Sequence, residues 1–193
     1  PTTAKYMSFF KGHAFYAGKS SAPGRLVYSA PANPESVPLA SYFLLGDSDA
    51  GEITGMREYR NTLVVFKRRG IFMIMADGQG GFQQKTISRQ FGCSAPNTIK
   101  EIPGVGLSFV SDNGVRVIRG TLQEADDPAA VPRLDEALGD TWLWKINRAA
   151  LLNACSEVYH RKRELWLSVP YGGVPDNKMV LVYHYDVGVW SFR

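Results

Sequence analysis

Two stretches of this chain, LVVFKRRGIFMI (63–74) and LSFVSDNGVRVI (107–118), share one layout and decide the fold. When one is shifted by 44 residues, equivalent positions coincide: Leu63 with Leu107, Gly70 with Gly114, Ile71 with Val115, and Ile74 with Ile118. Each stretch is an apolar strand, a tight polar turn with a glycine placed for a positive φ, and a second apolar strand. The pattern predicts a repeated β-hairpin.

Strands of the same kind surround both hairpins. Each is preceded by a short apolar strand, ITGM (53–56) and TIKEI (98–102), and a third copy with a longer insert follows: ACSEVY (154–159), HRKRE (160–164), LWLSV (165–169), PYGGVPDNK (170–178), MVLVYHYD (179–186) and VWSF (189–192). The N-terminal part adds YMSFF (6–10), HAFYAG (13–18), RLVYSA (25–30) and SYFLL (41–45). A period near 44 with about four strands per repeat is typical of propeller blades.

The sequence therefore predicts an all-β fold of β-propeller-like blades of antiparallel strands, a fragment or partial propeller with a small helical insertion. We expect blades over 1–120, a partly helical insertion over 121–153, and a further blade over 154–193. The insertion is the one segment without a sheet pattern. Pro132 and the following residues up to Gly139 can start and stop a helix, and Leu151 with Leu152 closes a second helical turn. The insertion either contacts partners or caps a sheet edge.

Composition places the chain among globular proteins. Its 193 residues are 45% hydrophobic and 21% charged, and the 12% of aromatic residues favours sheet. The net charge of +4 permits contact with a phosphate backbone without requiring it. No apolar run is long enough to span a membrane, and the N-terminus lacks the uncharged core of a signal peptide, so we expect a soluble chain. Cys93 and Cys155 are far apart and are predicted to be buried thiols.

The Gly-Lys-Ser in GHAFYAGKS (12–20) is like the end of a phosphate-binding P-loop, but its context is wrong. Five residues separate Gly12 from Gly18 where the P-loop has four, and Phe15 and Tyr16 are too bulky for a phosphate cradle. Turn residues follow where a P-loop must enter a helix. This stretch is therefore predicted to be a strand.

Residues with catalytic or metal-binding chemistry are few and scattered. The histidines have no metal-ligand spacing, and adjacent acidic residues are typical of solvated loops or helices. These residues are His13, His160 and His184, and the pairs Asp126 with Asp127 and Asp135 with Glu136. The sequence predicts no enzyme, no cofactor and no metal site.

Two basic clusters, Lys67-Arg68-Arg69 and Arg161-Lys162-Arg163, are predicted in hairpin turns between the same two strands of successive blades. Equivalent turns of a closed propeller share one rim, so positive charge would collect there. This charge either faces solvent or lines a channel for a phosphate backbone. The middle copy has Ser111-Asp112-Asn113 in that turn, which interrupts the ring of charge.

Four segments together resemble a known family of virion proteins. They are FFKGHAFYAGKSSAPGRLVYSAPANPES (9–36), ITGMREYRNTLVVFKRRGIFMI (53–74), FGCSAPNTIKEIPGVGLSFVSDNGVRVI (91–118) and MVLVYHYDVGVWSF (179–192). The first is similar to a recurring unit of phage virion propellers: a basic glycine turn between strands, then a proline-bearing loop. Taken together they resemble the tail nozzle, or tail tubular protein B, of short-tailed phages and related propeller-bearing tail proteins, which are much longer than this chain.

The resemblance implies a β-propeller built into a ring of identical subunits at the distal end of the tail, where it lines the path of the exiting genome. It implies a virion protein, made in the host cytoplasm, whose partners are other tail proteins, copies of itself and viral DNA. We therefore expect a structural protein that acts mechanically. The basic turns would contact the lumen or DNA, and Arg133, Trp142 and Trp144 would contact proteins, unless the tryptophans pack as core.

Two other functions remain open. A carbohydrate-binding propeller that recognises host surface glycans would use aromatic platforms, for which Tyr171, Tyr183, Tyr185 and Trp190 are available. A glycoside-cleaving enzyme would need two carboxyl groups facing across a cleft, for which the sequence has no signal. A propeller fold serves all three functions.

Overall fold

The computed structural model describes residues 3–46, 51–120 and 128–193, and these residues are mostly β-sheet. The strands are β1 (Tyr6–Phe10), β2 (His13–Ala17), β3 (Arg25–Tyr28), β4 (Tyr42–Leu44), β5 (Ile53–Tyr59), β6 (Thr62–Lys67), β7 (Gly70–Ala76), β8 (Phe82–Ser88), β9 (Ala95–Ile102), β10 (Gly106–Ser111), β11 (Gly114–Ile118), β12 (Cys155–Tyr159), β13 (Glu164–Pro170), β14 (Asn177–His184) and β15 (Val189–Phe192). The helical segments are α1 (Thr141–Lys145) and short 3₁₀ helices at Pro128–Ala130, Glu136–Leu138, Arg148–Asn153 and His160–Lys162.

The strands form four sheets, and in each sheet every strand pairs with the next strand of the chain. The first sheet holds β1 to β4, the second β5 to β8, the third β9 to β11, and the fourth β12 to β15. All of these pairs are antiparallel. An up-and-down sheet of about four strands is the structure of a propeller blade. The predicted all-β, blade-like fold is confirmed.

The two repeated hairpins have the same register. Leu63 pairs with Ile74 across β6 and β7, and Leu107 pairs with Ile118 across β10 and β11. In both hairpins a two-residue turn leads to a glycine that begins the return strand. The 44-residue repeat in the sequence therefore corresponds to a repeat in structure.

The two equivalent glycines serve different purposes. Gly114 has a φ of 113°, and a Cβ there would lie 2.6 Å from the carboxylate of Asp135. Gly70 does not have a positive φ. A Cβ at Gly70 would instead lie 3.0 Å from the ring of Phe72. The prediction of a positive φ is correct for Gly114 and wrong for Gly70, where the close approach of a ring excludes a side chain.

The described chain packs into two compact units, each with two sheets. The first unit contains the first and second sheets and extends to Gly92. Its core forms where the first sheet presents Phe10 and Phe15 to Leu63 and Phe72 of the second, and all four side chains are buried. Because these apolar side chains are shielded from water, their contacts hold the two sheets together.

The second unit comprises Cys93–Gly120 and Ala129–Arg193 and contains the third and fourth sheets. Its core joins Val115 and Val117 of the third sheet to Leu165 and Leu181 of the fourth. The first strands of these two sheets, β9 and β12, lie side by side. The Ser156 hydroxyl in β12 donates to the Thr98 carbonyl in β9 at 3.2 Å. Nearby, Lys100 Nζ and Glu157 Oε2 form an ion pair at 2.5 Å.

Part of the predicted insertion completes the third sheet. The Leu134 N–H donates to the Val115 carbonyl at 2.8 Å, and the Val117 N–H donates to the Pro132 carbonyl at 3.1 Å. Residues 132–134 therefore pair with the outer edge of β11, in the position of a fourth strand. Of the two alternatives for the insertion, the sheet-edge cap is confirmed, and the prediction that the whole segment lies outside the sheets is wrong.

The rest of the described insertion is partly helical, as predicted. The 3₁₀ helix Glu136–Leu138 ends at Gly139, which has a φ of 66°, and the 3₁₀ helix Arg148–Asn153 includes the predicted turn at Leu151 and Leu152. Leu151 is buried in the core of the second unit, together with Trp142 and Leu143 of α1. The insertion is thus a part of this core. Its first residues, 121–127, with Asp126 and Asp127, lie outside the described residues.

A buried carboxylate anchors the edge segment. Asp135 is fully buried, and both Nε and Nη2 of Arg133 donate to it at 3.2 Å. Arg133 Nη1 also donates to the exposed Asp140 carboxylate at 2.7 Å. These hydrogen bonds raise the pKa of Arg133 above its usual value, and the bonds to Asp135 contribute most. Arg116 Nη1 donates to the Val131 carbonyl at 2.7 Å. The pKa of Arg116 is lowered, mainly by burial and also by the nearby positive charge of Arg133.

The two thiols have different environments. Cys93 is completely buried, and this burial raises its pKa to about 12, so the thiol stays protonated at neutral pH. Cys155 is exposed on β12. The prediction of buried thiols is correct for Cys93 and wrong for Cys155, because alternate residues of β12 point away from the core.

We predict that Gly114→Ala lowers the free energy of unfolding by about 3 kcal/mol, because it combines a strained φ with displacement of the Asp135 carboxylate. Gly104→Ala is the matched control: its φ is also positive, at 75°, but nothing lies within 4 Å of the added Cβ. It should cost only about 1 kcal/mol of backbone strain. Urea unfolding followed by tryptophan fluorescence measures both, and equal losses would contradict the assigned role of Asp135.

We also predict that Arg133→Met lowers the free energy of unfolding by about 2–3 kcal/mol, because it leaves the Asp135 carboxylate buried without its cation. Asp140→Asn removes only the exposed partner of the same guanidinium and should cost less than about 1 kcal/mol. Urea titrations of both variants test the difference. An Arg133→Met variant with an unchanged free energy of unfolding would mean that the Asp135 carboxylate needs no cation.

Candidate functional site

The first sheet has an apolar face that points away from its core. Pairing places Met7 opposite Tyr16, Tyr16 opposite Val27, and Val27 opposite Tyr42, so these four side chains form one row across the sheet. Residues two positions along share the same face, which adds Phe9, Arg25 and Leu44. We call this surface, comprising Met7, Phe9, Tyr16, Arg25, Val27, Tyr42 and Leu44, the outer face.

Several of these apolar side chains are exposed. The exposed fractions are 59% for Met7, 57% for Phe9 and 62% for Leu44. The opposite face of the same strands carries Phe15 and Leu26, which are fully buried. A contiguous exposed apolar surface of this kind marks a site of interaction.

A groove of about 540 Å³ lies along part of the outer face. Its lining is Ala4, Tyr16, Ala17, Lys19, Ser21, Ala22, Arg25, Val27, Val37, Pro38, Leu39 and Leu44. The volume is within the range of small-molecule pockets. Most of the lining is aliphatic, and Leu39 is 97% exposed, so the groove is open to solvent. Among the described residues that line it, the charged ones are Lys19 and Arg25.

Local contacts hold both sides of the groove. The Arg25 guanidinium lies 4.0 Å from the centre of the Tyr42 ring, where a cation interacts favourably with the π electrons. The Tyr16 hydroxyl donates to the Pro34 carbonyl at 2.8 Å, which fastens the proline-bearing loop over 31–38 to β2. The strand pattern predicted this loop, but nothing in the sequence alone places it against β2 and β3.

The basic turns do not form the arrangement that the sequence suggested. Arg68 and Arg69 connect the second and third strands of their sheet, whereas Arg161 to Arg163 connect the first and second strands of theirs. Successive turns of an up-and-down sheet lie at opposite ends of it, so these turns are not equivalent. The turn that corresponds to residues 160–163 in the second sheet is Arg60 and Asn61. The prediction that both clusters lie in turns between the same two strands of their blades is therefore wrong.

The basic residues also differ in exposure. Lys67 is only 2% exposed, and its ammonium donates to the Leu45 carbonyl at 2.7 Å inside the first unit. The prediction that Lys67 contacts a lumen or DNA is therefore wrong: it is the last residue of β6 and points into the protein. The other five are exposed, namely Arg68, Arg69, Arg161, Lys162 and Arg163. Lys162 lies 5.9 Å from the centre of the Tyr159 ring.

Of the predicted protein-contact residues, only Trp144 is fully available. It is 79% exposed on α1, whereas Trp142, two residues earlier, is 3% exposed and belongs to the core. Arg133 forms ion pairs with Asp135 and Asp140 within the chain. The alternative of an ordinary core residue is thus correct for Trp142 and wrong for Trp144, because residues two apart point to different sides of a helix.

The aromatic residues suggested for glycan binding are largely structural. Tyr183 and Trp190 are 6% and 8% exposed, with ring centres 4.9 Å apart in the core of the second unit. Trp190 Nε1 donates to the Leu134 carbonyl at 3.0 Å, and burial raises the pKa of Tyr183. These two rings cannot serve as an exposed sugar platform. Tyr171 and Tyr185 are half-buried.

The fourth sheet contains a polar cluster that the sequence did not suggest. His184 Nε2 lies 3.1 Å from the Ser191 hydroxyl, and His184 Nδ1 lies 3.6 Å from a carboxylate oxygen of Glu164. The indole N–H of Trp166 donates to the other oxygen of Glu164 at 2.7 Å. These residues come from three adjacent strands, and only their pairing brings them together. The contacts satisfy a nearly buried carboxylate and join β13, β14 and β15.

Within the described ranges, no group of three or more His, Cys, Asp or Glu side chains is placed to hold a metal ion. No helix of that same part of the chain is long and apolar enough to cross a membrane.

No protein-family model and no curated protein matches the chain. Similar solved structures include three of the β-propeller protein Hsv2 from Kluyveromyces lactis. Hsv2 with its complete loop 6CD is 12% identical over 97% of this chain and 60% of that chain, with a TM-score of 0.46. A structure of Hsv2p is 12% identical over 98% and 59%, with a TM-score of 0.43. A third is 13% identical over 97% and 59%, with a TM-score of 0.41. This chain thus spans about three fifths of their length.

Proposed function

We propose that this chain is a structural module of a bacteriophage tail, a nozzle or tail-tip propeller whose blades form part of a ring of identical subunits around the path of the genome. The observation that carries the proposal is the exposed apolar outer face of the first sheet. A surface of Met7, Phe9 and Leu44 gains most by being covered, and in a ring the neighbouring copy covers it.

The energetics favour such an interface. Covering the exposed part of Met7, Phe9 or Leu44 contributes about 1 kcal/mol for each side chain, roughly half of what full burial of such a residue provides. In a ring the interface is heterologous, so the outer face meets a different surface of the next subunit. Trp144, exposed in the second unit, supplies an aromatic anchor of the kind that dominates protein contacts.

The assignment to a phage tail is supported by the resemblance of the strand and turn pattern to tail nozzle proteins. The matching register of the β6–β7 and β10–β11 hairpins supports the repeated blade on which that resemblance depends. In this proposal the chain works without a catalytic step: rigid sheets hold a channel open. The exposed cations of the two basic turns are the candidates for contact with the phosphates of passing DNA, and such contact weakens as salt increases.

We predict that Phe9→Ser reduces ring assembly, because it removes an apolar ring from the outer face while leaving the core intact. Gln83→Ser, at an exposed polar position in β8, is the matched control and should assemble as the unmodified chain does. Size-exclusion chromatography with light scattering measures the mass of each, and negative-stain electron microscopy shows whether the unmodified protein forms rings.

Labelling of virions tests the location directly. An antibody against this chain should decorate the tail end of purified virions that carry it. Monomers at every concentration, with virions left unlabelled, would overturn the proposal. Labelled virions with a monomeric isolated chain would retain the tail assignment and overturn only assembly of this chain by itself.

A further inference from the structure

We infer that the groove on the outer face binds an extended peptide segment that carries acidic and aliphatic side chains, supplied by a protein neighbour. The identity of that neighbour as a tail protein rests on the proposed function. The binding chemistry rests on the groove alone: two cations in an otherwise apolar lining.

The charge of the groove selects an acidic partner. Lys19 and Arg25 both line it, and in the part of the chain that the structure describes neither forms an ion pair with a carboxylate. Arg25 is held over the ring of Tyr42, so its planar guanidinium presents a fixed set of donors. A carboxylate accepts two such hydrogen bonds at once, which makes glutamate or aspartate the natural complement. Two separate cations call for two acidic side chains.

The apolar lining selects a peptide over a sugar. Val27, Val37, Leu39 and Leu44 offer aliphatic surface. Hydroxyl groups in the described lining come from Ser21 and Tyr16, and the Tyr16 hydroxyl already donates to the Pro34 carbonyl. A sugar would therefore lose many hydrogen bonds to water and regain few.

The openness of the groove disfavours a fatty acid. Leu39 and Leu44 are 97% and 62% exposed, so one side of the groove faces solvent. An acyl chain lying there would keep much of its own surface in water. An extended peptide can place aliphatic side chains against Val27 and Leu44, direct carboxylates to Lys19 and Arg25, and leave its backbone polar groups in contact with water on the open side.

Fluorescence anisotropy with defined peptides tests the inference. The probe is a fluorescein-labelled peptide of four Leu-Glu repeats, compared with four Leu-Gln repeats and four Ser-Glu repeats. We expect the Leu-Glu peptide to bind at least about tenfold more tightly than either comparison peptide, because each lacks one of the two features that the groove recognises. Binding of the Leu-Glu peptide should weaken as salt is added.

Variants locate the binding site. Arg25→Gln and Lys19→Gln should each weaken binding of the Leu-Glu peptide about fivefold, and Leu44→Asn should weaken it through lost apolar contact. Arg57→Gln, which removes an equal charge from an exposed position outside the groove, should leave binding unchanged. Far-ultraviolet circular dichroism of each variant checks that the sheets are intact, and all measurements are repeated on the Phe9→Ser chain so that an assembled neighbour cannot cover the groove.

Clear results overturn the inference. Equal binding of the Leu-Gln peptide, an equal loss in Arg57→Gln, or no binding of the Leu-Glu peptide would each do so. Saturable binding of sialyllactose or oleate that is lost in Arg25→Gln, without peptide binding, would assign the groove to a sugar or a lipid instead. If rings form but the peptide does not bind, only this inference is overturned. If the peptide binds but the antibody against this chain labels no virion, only the tail function is overturned.

Discussion

The structure depends on one constraint: an apolar face of a β-sheet is stabilised when another layer covers it and keeps it from water. In the first unit the second sheet covers the inner face of the first through Phe10, Phe15, Leu63 and Phe72. The outer face of that same sheet, with Met7, Phe9 and Leu44, is left in contact with solvent. One face of this sheet is thus core, whereas the other is the surface proposed to bind a neighbour, and the groove lies on that uncovered side.

A second constraint acts at the sheet edges, where backbone N–H and C=O groups need partners. In the second unit residues 132–134 pair with β11, and the buried Asp135 carboxylate holds that segment through Arg133. Gly114 provides the space for this carboxylate, so one glycine of the hairpin repeat serves a contact that comes from a distant part of the chain. An apparent insertion is in this way an integral part of a blade-like sheet and of the core beneath it.

Most strands and hairpin turns could be predicted, because alternation of apolar residues and the spacing of turn residues are local properties. The positions of the side chains that carry a site could not. Lys67 belongs to a cluster of three basic residues, yet it ends a buried strand and bonds to the Leu45 carbonyl. Trp142 and Trp144 lie two residues apart in one short helix, yet one is core and the other is exposed. The two basic turns look equivalent in sequence because each is flanked by apolar runs, but strand pairing shows that they connect different strands of their sheets.

The all-β class, the 44-residue hairpin repeat and the short helical segments before the last sheet could all be predicted from the sequence, since each follows from interactions between residues close along the chain. The sequence alone does not show which faces are covered, that residues 132–134 join the third sheet, or that Lys19 and Arg25 share a groove with Val37 and Leu44. These outcomes depend on pairing and packing between segments far apart in sequence. The free energy of such contacts comes from surfaces that exist only once the sheets have formed.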